Sequence, residues 1–224
     1  MLETQINPLQ IMVIMMVMGL LPIFLTLVTS YIKIIVVAFI VRNALGIQQT
    51  PPNMVLTGLA VILSAFIMAP VGVNVYKNIQ QLDISSNEIN VETTLQIADH
   101  ASGPIISFLQ ANTDTQILTS FESTARRIWP QEIQNQFDNK SLIFLIPSFV
   151  ISELTKAFQI GFLLYLPFII IDLIVSNILL AMGMMMVSPT TISLPFKLML
   201  FVTLDGWLKL SQGLMLSYSY AWGH

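Results

Sequence analysis

The chain has 224 residues, of which 55% are hydrophobic and only 9% are charged, and its mean hydropathy is +0.78. A soluble domain usually carries about 25% charged residues, so this composition indicates a membrane protein or a subunit of a membrane complex. The net charge of −3 gives no reason to expect a nucleic-acid partner, and the lack of cysteine excludes disulfides, thiolate metal sites and cysteine nucleophiles.

The first third of the chain is predicted to form an apolar helical hairpin over residues 1–76. Residues 11–32 and 54–76 are two uncharged runs, each long enough to span a bilayer as a helix. The connection between them carries Lys33 and Arg42 and no acidic residue. Because basic residues are enriched in cytoplasmic loops, we expect Lys33 and Arg42 to lie in a cytoplasmic loop.

Residues 77–140 form a polar, partly helical middle segment. It holds four basic and eight acidic residues, a net charge of −4. Apolar residues recur at helical spacing in "LTSFESTARRIW" (118–129), which predicts an amphipathic helix there. Residues 83–90 and 100–104 read as loops because they are rich in turn-forming residues. With the basic connection in the cytoplasm, this acidic segment is expected on the periplasmic side.

Residues 141–224 are predicted as a second apolar helical hairpin. The run from 141 to 196 is interrupted by Glu153, Lys156 and Asp172 alone. Four aromatic residues close the chain, as is typical of a membrane–water boundary: Trp207, Tyr218, Tyr220 and Trp222. Glu153 with Lys156, and Asp205 with Lys209, have the spacing of local ion pairs on one helix face.

Prolines interrupt almost every apolar run, so the fold class is predicted as all-α with bent helices. A proline frees a backbone carbonyl and kinks a helix, and in lipid such a carbonyl needs a partner from protein or water. These prolines are Pro22, Pro70, Pro147, Pro167, Pro189 and Pro195. Two interpretations stay open: ordinary packing within one chain, or a homo-oligomeric, membrane-associated assembly whose helices face protein.

Asp172 is an acid inside an apolar run, five residues after Pro167. An acid in such a place is a functional candidate by default, and a multi-pass proton-coupled transporter would use it as a relay. We favour a structural ion pair with a base such as Lys197, because no second acid lies nearby in the sequence to receive a proton. The inverted repeats expected of many transporters are also not visible.

The sequence "GMMMVSP" (183–189) places three methionines between a glycine and a proline. Gly183 can end one helix, while Ser188 can cap the next one with Pro189 at its first position. Met184, Met185 and Met186 would then lie on a short loop with Met182 behind them. Methionines that merely fill gaps in a core are the competing interpretation. Thioethers could also bind Cu(I), but without cysteine or a nearby histidine we predict no metal site.

Three stretches together resemble a known family: "RNALGIQQTPPN" (42–53), "IGFLLYLPFIIIDLIVSNILLAMGMMMVSP" (160–189) and "TISLPFKLMLFVTLDGW" (191–207). They resemble the R component of the bacterial type III secretion export apparatus, the SctR family, which is similar to the flagellar export protein FliP. "MMMVSP" followed by "TISLPFK" resembles the virulence injectisome branch more than the flagellar branch. A flagellar export gate subunit remains the alternative within the family.

The resemblance implies a pore-forming subunit that passes unfolded proteins across the bacterial inner membrane. It implies a homopentamer with the S and T export apparatus components, contacts with the export switch component and secreted substrates, and bent hairpins in a conical assembly that projects to the periplasmic side. It also implies a methionine gasket formed by Met184, Met185 and Met186. The family has no catalytic site and no cofactor, in agreement with the lack of any nucleophile or phosphate-loop motif in the sequence.

Overall fold

The structure, a computed structural model, describes residues 8–47, 49–81, 91–134 and 141–218. Within these ranges the chain forms α-helices joined by short connections and contains no β-strand, which confirms the predicted all-α class. The helices are α1 (Pro8–Val28), α2 (Tyr31–Ala44), α3 (Asn53–Gln80), α4 (Val91–Asn112), α5 (Thr115–Ile128), α6 (Gln131–Gln134), α7 (Leu142–Ala181), α8 (Pro189–Thr203) and α9 (Gly206–Leu216).

The centre of the fold is the contact between α2 and α7, the most extensive helix pair in the described chain. Gly161 permits this close approach, because a Cβ atom at its position would lie 2.4 Å from Cδ1 of Ile40. α3 and α4 cover the pair and are packed against each other. The core is made of aliphatic and aromatic side chains from these four helices, including Val37, Val41, Leu56, Phe108, Leu109, Leu145, Phe149 and Ala157.

Two helices, α3 and α7, are long and apolar enough to cross a membrane. The pairs α1–α2 and α8–α9 also qualify if each is taken as one span, although they bend by 80° and 58°. Many large apolar side chains on these helices are exposed in the single chain, among them Phe66, Phe158, Phe162, Leu163 and Met199. The surface of one chain therefore requires lipid or further protein to cover it.

The bend between α8 and α9 occurs at Leu204 and Asp205. Asp205 adopts a left-handed backbone conformation with φ of 52°, which Asp tolerates better than most residues. The side chain of Phe201 occupies the space beside Gly206, where a Cβ atom would clash with the ring. The predicted ion pair between Asp205 and Lys209 is not formed, although both residues are described; the left-handed turn places Asp205 at the helix start instead of on the helix face.

The middle segment differs from the prediction at residues 100–104, which lie inside α4 and not in a loop. Pro104 removes the hydrogen bond that the carbonyl of His100 would accept in a regular helix. Asn78 of α3 replaces it, since its Nδ2 donates to that carbonyl at 3.3 Å. The sequence does not reveal this partner, so the glycine–proline pair reads as a break. The predicted loop at 83–90 lies outside the described residues.

The predicted amphipathic helix is confirmed as α5. It begins after Asp114, whose Oδ1 accepts a hydrogen bond from the backbone N–H of Gln116 at 2.8 Å, as expected of an N-cap. The backbone N–H of Asp114 in turn donates to Oγ of Ser152 on α7, at 3.0 Å. The junction between α4 and α5 is thereby attached to the central helix.

Candidate functional site

The methionine loop joins α7 to α8 and is fixed at its start by a Schellman motif. The N–H of Met184 donates to the carbonyl of Leu179 at 2.9 Å, and the N–H of Gly183 donates to the carbonyl of Leu180 at 3.0 Å. Gly183 has φ of +73°, a left-handed conformation in which glycine has no steric cost. The structure thus ends α7 one residue before Met182, with Gly183 as the turning residue.

At the other end of the loop, α8 begins with Pro189, which follows the extended residue Ser188. A proline fits the first helical position because the N–H that it lacks has no partner there in any case. The expected side-chain cap is not made: Oγ of Ser188 pairs with Oγ1 of Thr190 at 2.8 Å. The Ser188 backbone carbonyl still accepts from the N–H of Thr191 at 3.2 Å, so the serine contributes through its backbone.

All four methionines around the loop are exposed in the single chain. The exposed fraction is 66% for Met182, 42% for Met184, 81% for Met185 and 101% for Met186. Side chains that fill gaps in the core of a chain would be buried. The structure therefore exposes several flexible thioether side chains on the loop between α7 and α8, where they can contact another molecule.

The two helices that carry this loop are joined by an ion pair. Nζ of Lys197 on α8 lies 2.6 Å from Oδ2 of Asp172 on α7, and Oγ of Ser193 donates to Oδ1 of the same carboxylate at 2.6 Å. Lys197 is almost fully buried and also donates to the carbonyl of Ala44, the last residue of α2, at 3.2 Å. Its charge thus satisfies one of the carbonyls that a helix end leaves without a partner.

We expect Asp172→Asn to weaken folding by about 2 kcal/mol, because it removes the charge opposite the buried Lys197. In detergent, this variant should unfold at a lower temperature than the matched variant Asp205→Asn, whose carboxylate is exposed and unpaired within the described chain. Normal assembly with selective loss of dependence on the proton-motive force would contradict the structural role and favour a proton relay.

A second cluster of charges is buried at the centre of the molecule, around Glu153. Nζ of Lys33 on α2 lies 3.4 Å from Oε2 of Glu153 on α7, and both side chains are buried. The same Nζ lies 3.5 Å from the centroid of the Tyr218 ring, as in a cation–π contact. The hydroxyl of Tyr218 donates to Glu153. The described chain thus holds a carboxylate, a lysine and a phenol in one desolvated cluster.

This arrangement corrects the prediction that Lys33 lies in a loop. Lys33 is the third residue of α2 and lies on the buried face of that helix, where Glu153 neutralises its charge. The predicted local pair of Glu153 with Lys156 is present at 3.7 Å, but it is the outer part of the cluster. Nζ of Lys156 also donates to the carbonyl of Asn112 at the end of α4.

Arg42 likewise belongs to the last turn of α2 and not to a loop. Its guanidinium holds the connection between α2 and α3: Nη1 donates to Oδ1 of Asn53 at 2.6 Å and to the carbonyl of Pro51 at 3.3 Å. Arg42 also lies over the ring of Phe39, 5.0 Å from its centroid. The stretch "RNALGIQQTPPN" therefore encodes a helix end and the loop that folds back onto it.

Sequence reasoning did not find the cluster of Lys33, Glu153 and Tyr218, although each charge in it interrupts an apolar run. The available signal was that an isolated charge in such a run requires an opposite charge elsewhere. Across the described residues, no group of three or more acidic or histidine side chains is placed to hold a metal ion. The ion pairs around Asp172 and Glu153 are suited to holding helices against one another and to keeping the methionine loop in a fixed position.

Comparison with known proteins supplies the family. The family model described as "FliP family" matches residues 14–214. The chain is 47% identical over 212 residues to "Yop proteins translocation protein R" of Yersinia pestis, covering 95% of this chain and 97% of that protein. It is 46% identical over 207 residues to "Virulence protein YscR" of Salmonella typhimurium, covering 92% and 95%.

A third relative is a harpin secretion protein. The chain is 42% identical over 216 residues to "Harpin secretion protein HrcR" of Erwinia amylovora, covering 96% of this chain and 98% of that protein. The matches to all three relatives extend over nearly the whole of both chains. On the extent of the family model and of these similarities, the chain belongs to the FliP family.

Proposed function

We propose that the chain is the R-type subunit of the export apparatus of a type III secretion system of the injectisome branch. The names of its relatives, which are translocation, virulence and harpin secretion proteins, support this role. Its task there is to form, with further subunits, the pore through which unfolded proteins cross the inner membrane. We propose neither a catalytic activity nor a cofactor for it.

The observation that carries the pore function is the exposed methionine loop. A pore for unfolded chains must close around side chains of many shapes and must also close when it is empty. Methionine has three rotatable side-chain bonds and a polarisable sulfur, so it can repack around different partners. Met184, Met185 and Met186 would form the resting seal, with Met182 behind them, while Gly183, Ser188 and Pro189 give the loop its shape.

A single chain leaves much of its apolar surface uncovered, which supports an assembly as the functional unit. The proposed partners are further copies of the chain, five by family resemblance, together with the S and T components, the export switch component, secreted substrates and membrane lipid. Flagellar export is the alternative process within the family. A proton-coupled transporter is disfavoured because Asp172 is already paired with Lys197.

The assembly is tested by native mass spectrometry of the chain purified in mild detergent. We expect a homo-oligomer, five-fold by family resemblance and more abundant when the S and T components are co-expressed. The physical reason is that the bent apolar helices leave large exposed side chains that another copy can cover. A folded, monodisperse monomer would contradict the pore function and would favour a self-contained transporter.

The proposed orientation places residues 77–140 on the periplasmic side, with the assembled complex projecting from the inner membrane. The orientation now depends on Arg42 as the basic residue near the membrane surface, because the charge of Lys33 is buried and paired. Since the chain has no cysteine, single cysteines at two exposed positions can be labelled specifically. A membrane-impermeant thiol reagent added to intact spheroplasts should label Thr119→Cys on α5 and not Gln49→Cys before α3. The reverse pattern would invert the orientation.

A further inference from the structure

The elbow between α1 and α2 is the sharpest bend of the described chain that lies within a candidate span. The helices meet at Thr29 and Ser30 at an angle of 80°. Such a break leaves backbone groups without their helical partners. Ser30 has no side-chain capping bond, and its hydroxyl instead donates to Oγ of Ser64 on α3 at 3.1 Å.

The carbonyl of Ser30 has one weak partner within its own helix, the N–H of Ile34 at 3.5 Å. The closer partner comes from the far end of the chain: the hydroxyl of Tyr218 lies 3.2 Å from this carbonyl. A phenol has a single proton to donate, so Tyr218 shares it between the Ser30 carbonyl and the carboxylate of Glu153. One side chain thus connects the elbow to the buried ion pair.

The ring of Tyr218 is held independently of its hydroxyl. It stacks on Phe108 of α4 with 6.0 Å between the ring centroids, and it lies beside Nζ of Lys33. The residue is buried although it follows the end of α9. The position of the ring is therefore fixed by α2 and α4, and the hydroxyl reaches the carbonyl of Ser30 and the carboxylate of Glu153.

We propose that Tyr218 is a positioning residue that sets the direction of α1 relative to α2. The cluster takes Ser30 and Lys33 from the start of the chain and Glu153 from α7, and it is complete only after α9 has been synthesised. Until Tyr218 is in place, the carbonyl at the bend lacks its closer partner, and the angle between α1 and α2 is held only by the contacts of α1 with α2 and α7 and by the bond between Ser30 and Ser64. The described side chains of α1 are largely exposed. Because Tyr218 is among the last residues to be synthesised, the apolar helix α1 reaches its final angle, at which it can contact other chains, only after the rest of the chain has folded.

The test measures the elbow directly by double electron–electron resonance in the otherwise cysteine-free full-length chain. Spin labels are attached to Leu20→Cys on α1 and Ile62→Cys on α3, two exposed positions outside the cluster. Labelled chains are diluted into excess unlabelled chains in the detergent-purified assembly, so that only distances within a chain are recorded. The variant is Tyr218→Phe, which keeps the ring contacts and removes the hydroxyl.

We expect one narrow distance distribution in the parent chain and a broader or divided one in Tyr218→Phe. Loss of one hydrogen bond should change the ratio of bent to other elbow angles by about fivefold. The matched control is Tyr165→Phe on α7, a partly buried tyrosine whose hydroxyl makes no hydrogen bond with the described residues. It should leave the distribution narrow.

Two results would overturn the proposal. The first is an unchanged distribution in Tyr218→Phe, even with a lowered Tm, because the hydroxyl would then stabilise the core without setting the bend. The second is an equal broadening in Tyr165→Phe, which would show that removing any tyrosine hydroxyl makes the direction of α1 more variable.

Discussion

Replacement of Lys33 by methionine is expected to destabilise the fold strongly, because Lys33 is the buried partner of Glu153. The change leaves the Glu153 carboxylate buried beside a single, partly exposed lysine, Lys156. Breaking a buried ion pair by removing one partner costs about 3–5 kcal/mol. In detergent, thermal unfolding followed by circular dichroism should show Tm lowered by about 10 °C, with a matching loss of assembled oligomer.

The matched control for this prediction is Lys209→Met on α9. Lys209 is exposed and forms no ion pair with the described residues, so its replacement should change Tm by little. Replacing both partners, Lys33→Met with Glu153→Leu, should recover part of the lost stability, because an apolar pair has no charge to desolvate. If Lys33→Met is as stable as Lys209→Met, the buried pair does not hold α2 to α7.

Replacement of Met184, Met185 and Met186 by alanine is expected to open the resting pore while leaving the oligomer intact. The three side chains are exposed and lie outside the buried core of the single chain, so the fold is expected to depend little on them. In the proposed pore, alanine side chains would be too short to fill the space that the methionine side chains close. Proteoliposomes that contain the variant complex should release a trapped small dye, whereas liposomes with the parent complex should retain it.

The control removes the same number of exposed methionines elsewhere, at Met18, Met54 and Met199, and should assemble without dye release. Replacement of the loop methionines by leucine should give an intermediate leak. Leucine has a similar volume, but its branched side chain has fewer rotatable bonds and therefore fewer conformations. An assembled, tight alanine variant would show that the methionines are not the seal. Failure of that variant to assemble would show that they are packing residues and that the seal lies elsewhere.

Several features of the fold were predictable because they depend on neighbours in the sequence. The uncharged run at 54–76 corresponds to α3, and the largely apolar run at 141–196 contains α7, the methionine loop and the first half of α8, since long apolar runs have few other folded forms. α5 follows from helical periodicity together with its capping residue Asp114. The positions of Gly183 and Pro189 at the two ends of the methionine loop follow from backbone preferences that each residue carries by itself.

The errors came where a residue's surroundings lie far away in the chain. Residues 100–104 look like a loop until Asn78 supplies a donor to the His100 carbonyl. Lys33 looks like a loop lysine until Glu153, 120 residues later, is found beside it. Tyr218 looks like an interfacial aromatic residue until its hydroxyl is seen to reach Ser30, 188 residues away. Local sequence patterns do not reveal the partners of such residues, because they do not show which helices pack against each other.

The sequence by itself determined the helical class, the membrane character and the place of the methionine loop, because composition, periodicity and backbone preference are local properties. It also indicated that the charges in apolar runs need partners, and it suggested Lys197 for Asp172. The tertiary structure alone decided which charges meet: Lys33 with Glu153 and Tyr218, and Lys197 with both Asp172 and the end of α2. Those contacts depend on the angles at which α2, α7 and α8 cross, and only close packing, such as that of the Ile40 side chain against the backbone at Gly161, fixes such angles.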